Sequence, residues 1–137
     1  MKHFLLMVTG IIFLAACGKS RTEKLLLDKR WKVYDVTPPR TGVYDVDAAN
    51  QAEELKNGFY KNAWFEFEQN GIFKADFAGK TDSGKFKISP GGGIISLYPL
   101  HSDKMYEQIQ IQNLSDSTLR FNTLIAKFDM TLDLKTE

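Results

Sequence analysis

The sequence predicts an all-β protein, an eight-stranded antiparallel up-and-down barrel with one helix between strands one and two. Apolar residues recur at every second position in block after block, which is the period of a strand with one buried face. Short turn sequences such as Asn70-Gly71 separate the blocks, so consecutive strands are expected to pair with their neighbours. A sandwich of two sheets is the alternative arrangement of the same strands.

Each strand is predicted from the alternating positions of one block. In chain order the strands cover residues 31–37, 64–68, 73–77, 86–88, 94–98, 105–111, 119–121 and 124–135. The last is expected to be one long strand with a single solvated face. A β-turn at residues 81–84 is expected to join strands three and four, because Asp and Gly suit turn geometry.

One segment breaks the alternation. Within residues 48–59, apolar residues including Ala52 and Leu55 follow helical spacing. Asp47 is suited to the N-cap and Gly58 to the C-terminal end. The sequence therefore places a helix between strands one and two.

The amino terminus has the features of a secretory signal peptide. Lys2 and His3 precede an apolar run, Phe4 to Ala16, that is shorter than the roughly 20 residues of a membrane-spanning helix. The run ends in Leu14-Ala15-Ala16-Cys17, which resembles the lipobox of bacterial lipoproteins. That resemblance implies cleavage before Cys17 and acylation of Cys17 as the first mature residue. An ordinary cleavage site beside a chance cysteine is the alternative.

Three segments follow from this interpretation: a signal peptide over residues 1–16, a polar tether over residues 17–24, and one barrel domain over residues 25–137. A domain of this length can bury enough apolar surface to fold alone. The lipoprotein resemblance implies membrane association through acyl chains. Gly18, rather than Asp, after the cysteine favours the outer membrane, and Lys19 and Arg21 favour its periplasmic face.

Charge and cysteine content exclude several function classes. Removal of residues 1–16 takes Lys2 from the 18 Lys and Arg, which leaves 17 basic residues against 17 acidic ones. A balanced chain without a basic run argues against nucleic acid as a partner. Cys17 is the single cysteine, so no disulfide forms within one chain. The sequence does not determine the oligomeric state.

The segment Gly79 to Phe86, GKTDSGKF, has the spacing of a phosphate-binding loop. Phe86 stands where a Ser or Thr hydroxyl is required, and the following residues alternate as a strand instead of opening a helix. A turn between strands is the simpler interpretation. We therefore expect no nucleotide site.

Metal and catalytic sites are also poorly supported. Residues 45–56 lack the ligands of a calcium loop, and His101 is the one histidine of the mature chain. The candidate carboxylates Glu66, Glu68, Asp76 and Glu107 are all expected to face solvent. We therefore expect no cofactor, no metal and no enzyme activity.

The domain resembles the lipocalin-like domains of bacterial lipoproteins. The resemblance rests on Lys29-Arg30-Trp31-Lys32-Val33, on the FEFEQNGIF hairpin and on SDSTLRF near the end. Lys29 replaces the glycine of the lipocalin Gly-x-Trp, and Arg120 or Lys127 would be the arginine equivalent that packs on Trp31. The helix after strand one is similar to the lid of fatty-acid-binding proteins. The resemblance implies a small apolar ligand, whereas some members instead act as protein-interaction modules.

An eight-stranded barrel is either filled by its own side chains or holds one small molecule. Seven inward phenylalanines favour a filled barrel, while Ala75 and Ala126 leave space. The prediction is a narrow apolar pocket closed by the helix over residues 48–59, with room for one slender ligand such as an acyl chain. Its lining is predicted to be Phe65, Phe67, Phe73, Phe128 and Met130. The alternative is a structural or interaction module of the envelope with a filled barrel.

Overall fold

The computed structural model describes residues 18–38, 45–125 and 128–137, without the side chains of residues 124, 125 and 128. Residues 18–26 form helix α1. The other elements are β1 (Arg30–Thr37), α2 (Val46–Asn57), β2 (Trp64–Phe67), β3 (Ile72–Phe77), β4 (Lys80–Ile88), β5 (Ile94–Pro99), β6 (Glu107–Leu114), β7 (Thr118–Ile125) and β8 (Phe128–Thr136). Within the described ranges, neither helix has the length and apolar character to cross a membrane.

The eight strands form a closed antiparallel barrel in sequential order, with β8 paired to β1. The predicted barrel is confirmed, and the sandwich alternative is wrong. Up-and-down connectivity places the β2–β3, β4–β5 and β6–β7 turns together at one end, which we call the closed end. The other connections, including α2 between β1 and β2, lie at the opposite end, which we call the mouth.

The hairpin after β2 is confirmed, with Gly71 at a positive φ of 82°. The turn predicted at residues 81–84 is wrong, because these residues belong to β4. Ala78 and Gly79, at φ of 52° and 81°, form the two-residue connection between β3 and β4. Positive φ at both central positions matches the right-handed twist of the flanking strands.

The long strand predicted over residues 124–135 is also wrong. Strand β7 continues to Ile125, and β8 begins at Phe128. The register pairs Thr123 with Met130 and Phe121 with Leu132. Odd-numbered residues of β7 therefore share the inner face with even-numbered residues of β8.

Helix α2 is confirmed, but its N-cap is Asp45 instead of Asp47. The Asp45 carboxylate accepts hydrogen bonds from the backbone N–H groups of Asp47 and Ala48. Asp47 lies in the first turn, where its charge interacts favourably with the helix dipole. Ala52 is buried in the core, and Lys56 forms an ion pair with Asp35 of β1 at 3.2 Å, so α2 lies beside β1.

Residues 18–24, predicted to be part of a tether, are instead helical and belong to α1. The Thr22 hydroxyl donates to the carbonyl of Gly92 in the β4–β5 turn at 2.8 Å, and Leu26 is fully buried. The helix stops before Asp28, whose positive φ of 59° is typical of a helix C-terminus. The backbone N–H of Asp28 donates to the Phe67 carbonyl at 2.8 Å. Helix α1 therefore packs against the closed end.

The barrel interior is filled by apolar side chains in direct contact. The Phe65 ring meets Phe121 edge to face at a centroid distance of 5.6 Å, and Phe67 meets Phe86 at 5.2 Å. Trp31 is fully buried, and its indole N–H donates to the Leu26 carbonyl at 3.0 Å. The other large buried side chains include Phe73, Ile95, Leu97, Ile109, Leu119, Met130, Leu132 and Leu134. One contiguous core stabilises the fold.

Candidate functional site

The mouth of the barrel carries a carboxyl group on its inner face. Glu107 begins β6 two residues before Ile109, which is buried, so both side chains point inward. Its carboxylate accepts a hydrogen bond from the hydroxyl of Thr123, a buried inward residue of β7. Burial raises the pKa of Glu107 above its ordinary value, although the hydrogen bond from Thr123 opposes the rise. The mouth thus holds a partly desolvated polar pair.

Two tyrosines stand close enough to Glu107 to respond to its charge. Burial raises the pKa of Tyr106 to about 12, with further contributions from Glu107 and Asp82. Tyr60 follows α2 and is buried, and burial together with the Glu107 charge raises its pKa well above the ordinary value. Both phenols therefore stay protonated at neutral pH and can donate hydrogen bonds.

Exposed apolar side chains lie at the same end of the barrel as this polar pair. Among the described residues, five of the six exposed large hydrophobic side chains lie on the mouth connections: Val46, Phe59, Leu100, Met105 and Tyr106. The sixth, Tyr34, lies on β1. Phe59 stacks on Phe77 with centroids 4.9 Å apart, and Tyr106 lies 6.5 Å from the buried Phe73. We call these five residues the mouth ring.

A groove opens beside the polar pair. Its volume is about 420 Å³, and it is lined by Met105, Tyr106, Glu107, Gln108, Gln110, Asn122, Thr123 and Asp129. Most of this lining is polar, and Met105 and Tyr106 supply its apolar surface. The arrangement can hold an apolar group against Met105 and Tyr106 and a hydrogen-bonding group against Glu107.

The described residues among those predicted to line a pocket are packed in the core. Phe67 and Met130 are 0% exposed, and Phe65 and Phe73 are buried as well. A cavity large enough for water would leave exposed surface on its lining, so Phe67 and Met130 border no such space. The side chain of Phe128 lies outside the described part of the chain. A ligand among these residues would have to separate packed rings.

Three of the four candidate carboxylates face outward as expected, and each has a partner. Glu66 accepts from Arg30 at 2.7 Å, Glu68 pairs with Lys74 at 3.0 Å, and Asp76 accepts from Thr81 at 3.1 Å. The fourth expectation is wrong, because Glu107 points inward. Glu107 shares the odd-numbered phase of Ile109 and Ile111, and this signal in the sequence could have identified it.

The cation expected on Trp31 is not Arg120. Arg120 lies on the outer face of β7 and donates to Asp133 of β8 at 2.6 Å. The cation near Trp31 is Lys29, whose Nζ lies 5.8 Å from the ring centroid and donates to the Asp116 carbonyl in the β6–β7 turn. Lys127 lies outside the described residues. Lys29, the residue before β1, therefore links the start of β1 to the β6–β7 turn.

The GKTDSGKF segment has no helix after its second glycine. Residues Lys80–Ile88 are a strand paired on both sides, and Gly84 lies within it, opposite Phe73. A Cβ at Gly84 would lie 2.5 Å from the Phe73 ring, so packing explains this glycine. His101 is exposed. Over ranges 18–38, 45–125 and 128–137, no three His, Cys, Asp or Glu side chains converge as metal ligands.

Comparison with solved structures finds a similar protein. The chain is similar to a DUF4847 family protein from Bacteroides vulgatus ATCC 8482, with 10% identity over 82% of this chain and 95% of that chain, and a TM-score of 0.47. No protein-family model matches the chain, and no curated protein matches it.

Proposed function

We propose that this protein is a lipid-anchored envelope protein, acylated at Cys17, whose lipocalin-like barrel binds a small apolar ligand at its mouth. The anchor is supported by the apolar run and the Leu14-Ala15-Ala16-Cys17 sequence. The observation that carries the binding function is that the exposed apolar residues of the mouth ring lie at the same end of the barrel as the polar pair of Glu107 and Thr123. Clustered exposed apolar surface at one end of a molecule is typical of a binding site.

The charges at the mouth specify the polar end of the ligand. Glu107 points inward, Asp129 lines the groove, and Asp82 lies close enough to affect Tyr106. A free fatty acid would bring a carboxylate toward these acidic groups. A ligand with an apolar body and an uncharged or cationic end is therefore favoured over a fatty acid anion.

Titration with two fluorescent probes tests the binding site. An undecane chain with a dansylamino group at one end and a free amine at the other, and the matching dansylamino undecanoic acid, share a chain length and differ in the charge of the free end. We expect saturable binding of the amine, with at least tenfold lower affinity for the acid. Tyr106→Ala should weaken amine binding about tenfold, because it removes about 1.4 kcal/mol or more of aromatic contact.

Tyr34→Ala is the matched control for the mouth ring. Tyr34 and Tyr106 are both exposed tyrosines, at 46% and 52%, but Tyr34 lies on the barrel wall. The control should bind like the wild type. Equal losses in both variants would contradict a site at the mouth.

The filled interior favours a second candidate, a protein-interaction module of the envelope. Phe67, Phe121 and Met130 leave no exposed surface inside the barrel. In this case neither probe binds, and the mouth ring instead contacts a protein. A photo-crosslinking amino acid at Tyr106, but not at Tyr34, would then give one discrete product in cells.

Membrane fractionation of Cys17→Ser tests the anchor separately. The substituted protein should leave the membrane fraction and lose incorporation of radiolabelled palmitate. Unchanged fractionation would contradict acylation at Cys17.

A further inference from the structure

Helix α1 connects the anchor position directly to the closed end. Gly18 and Gly92 are in backbone contact: a Cβ at Gly18 would lie 2.5 Å from the Gly91 carbonyl oxygen, and a Cβ at Gly92 would lie 2.5 Å from the Thr22 hydroxyl. The glycine turn after β4 thus lets the helix backbone approach to a distance that other residues do not allow. The helix is fixed on the barrel from its first described residue.

This contact removes the freedom that a tether would provide. Eight extended residues could span about 28 Å, enough for the barrel to take any orientation over a bilayer. With Gly18 fixed on the closed end, a single peptide bond separates Cys17 from a docked residue. Acyl chains on Cys17 would therefore hold the closed end close to the membrane.

The surface beside α1 is suited to phospholipid headgroups. A groove of about 670 Å³ runs between α1 and the strand ends, and Lys19, Lys24 and Lys87 line it together with Glu23. Ammonium groups near a bilayer are attracted to anionic headgroups. Arg21 adds another exposed cation on the same helix.

Among the described residues, the opposite end carries more acidic than basic exposed side chains. The acidic ones, on α2 and its N-cap, on the mouth connections and at the mouth ends of β4 and β8, are Asp45, Asp47, Glu53, Glu54, Asp82, Asp103 and Asp129. The exposed lysines of the same described segments are Lys61, Lys80 and Lys104. An anionic membrane would repel this end, so charge and the short connection favour the same orientation.

We propose that the closed end, formed by α1 and the β4–β5 turn, is the membrane-facing surface and that the mouth points away from the anchoring bilayer. The inference rests on the proposed attachment at Cys17. Its consequence is that the mouth meets ligands or partners arriving from the aqueous side, and not lipids of the anchoring membrane.

The single cysteine allows a test that is independent of lipidation in cells. The chain from Cys17 onward, which includes every described element, is coupled through its thiol to a maleimide lipid. The vesicles contain phosphatidylethanolamine, phosphatidylglycerol and a lipid with a nitroxide on its headgroup. A fluorophore is placed through an unnatural amino acid at Asn70, in the β2–β3 turn, or at Asp103, at the mouth.

The two positions should differ strongly in quenching. They lie on opposite ends of strands about eight residues long, roughly 20 Å apart for tilted strands. We expect several-fold greater quenching at Asn70 than at Asp103. Equal quenching, or greater quenching at Asp103, would overturn the proposed orientation. Because the coupling is chemical, this result is separate from the Cys17→Ser fractionation.

Matched variants test the role of α1. Gly92→Ala places a Cβ against α1 at a residue with a φ of 78°, whereas a Cβ at Gly93 meets nothing within 4 Å. Gly92→Ala should reduce the difference in quenching, and Gly93→Ala should preserve it. A long Gly/Ser insertion between Cys17 and Gly18 leaves the barrel intact and should also reduce the difference. An unchanged difference in the inserted chain would show that α1 does not set the orientation.

Discussion

The carboxylate of Glu107 accepts a hydrogen bond from the hydroxyl of Thr123 on the inner face of the barrel mouth. Most other inward positions on the described strands carry apolar groups, so this pair is the polar exception in a desolvated region. Its burial makes the ionised form of Glu107 less favourable, and the pKa is raised accordingly. This linkage makes barrel stability depend on pH.

The first prediction concerns that pH dependence. Because the folded pKa of Glu107 lies above the ordinary value of 4.5, the folded state holds this proton more tightly. Stability from Glu107 is therefore fully present below the unfolded pKa and is lost as pH rises through the folded pKa. Glu107→Gln should remove this loss, so the variant gains stability relative to the wild type as pH rises. Urea unfolding at a series of pH values measures the difference.

Glu66→Gln is the control for this series. Glu66 faces outward and pairs with Arg30, so its replacement should not give a stability gain that grows with pH. If the free energy of unfolding changes with pH in the same way for the wild type and for Glu107→Gln, Glu107 is not desolvated in the folded state.

The second prediction concerns two acidic residues that face each other across β1 and β8. Asp35 and Asp133 are direct cross-strand partners, and Asp133 is only 8% exposed. Lys56 pairs with Asp35, and Arg120 pairs with Asp133. Arg120→Met should lower the free energy of unfolding, because it leaves Asp133 without its cation beside a like charge.

A double-mutant cycle separates the pair from other effects. Arg120→Met combined with Asp133→Asn should restore much of the stability lost in Arg120→Met alone. Lys85→Met breaks the exposed pair with Asp103 and should change stability by no more than about 0.5 kcal/mol. If Arg120→Met lowers the free energy of unfolding no more than Lys85→Met does, the ion pair of Arg120 with Asp133 does not stabilise the barrel.

The third prediction concerns the glycine turn beside α1. Gly92→Ala should destabilise the barrel by about 2–3 kcal/mol, since it combines a positive φ with a Cβ close to α1. Gly93→Ala should have an effect within about 0.5 kcal/mol. Chemical denaturation followed by circular dichroism compares the two. Similar values for both variants would indicate that α1 is not docked at this turn in solution.

The barrel itself could be predicted because each strand buries one face. Apolar and polar residues therefore alternate within each strand's own segment of the sequence. The boundary between β7 and β8 could not, because apolar residues continue on even numbers through the position where the chain reverses. The register pairs Thr123 with Met130, and this pairing across strands shows that the inner face changes from odd to even numbers. Local periodicity contains no information on that change.

The site was predictable only in part. The inward phase of Glu107 is present in the sequence beside Ile109 and Ile111, but its partner Thr123 is 16 residues away and is supplied by the β6–β7 pairing. Helix α1 gave no local signal, because a short helix with polar residues is unstable alone and depends on docking. Its partner Gly92 lies 70 residues beyond Thr22.

The last prediction tests the domain boundary placed at Leu25. If α1 belongs to the fold, a chain that begins at Leu25 loses the hydrogen bond from Thr22 and the helical turns that position the buried Leu26. We expect it to be about 1–3 kcal/mol less stable than a chain that begins at Gly18. Urea unfolding followed by tryptophan fluorescence in a Trp64→Phe background measures both chains. Trp31 is then the single tryptophan, and its indole hydrogen bond to the Leu26 carbonyl reports on the same contact.

Two hydroxyl substitutions give the matched comparison. Thr22→Val keeps the volume but removes the donor to Gly92, which would cost about 1 kcal/mol. Thr81→Val removes an exposed hydroxyl that donates to Asp76 and should cost less than about 0.5 kcal/mol. Equal stability of the chains that begin at Leu25 and at Gly18, together with a silent Thr22→Val, would mean that residues 18–24 act as the tether that the sequence predicts. The closed end would then be free to rotate over the bilayer, and the proposed orientation would fail with it.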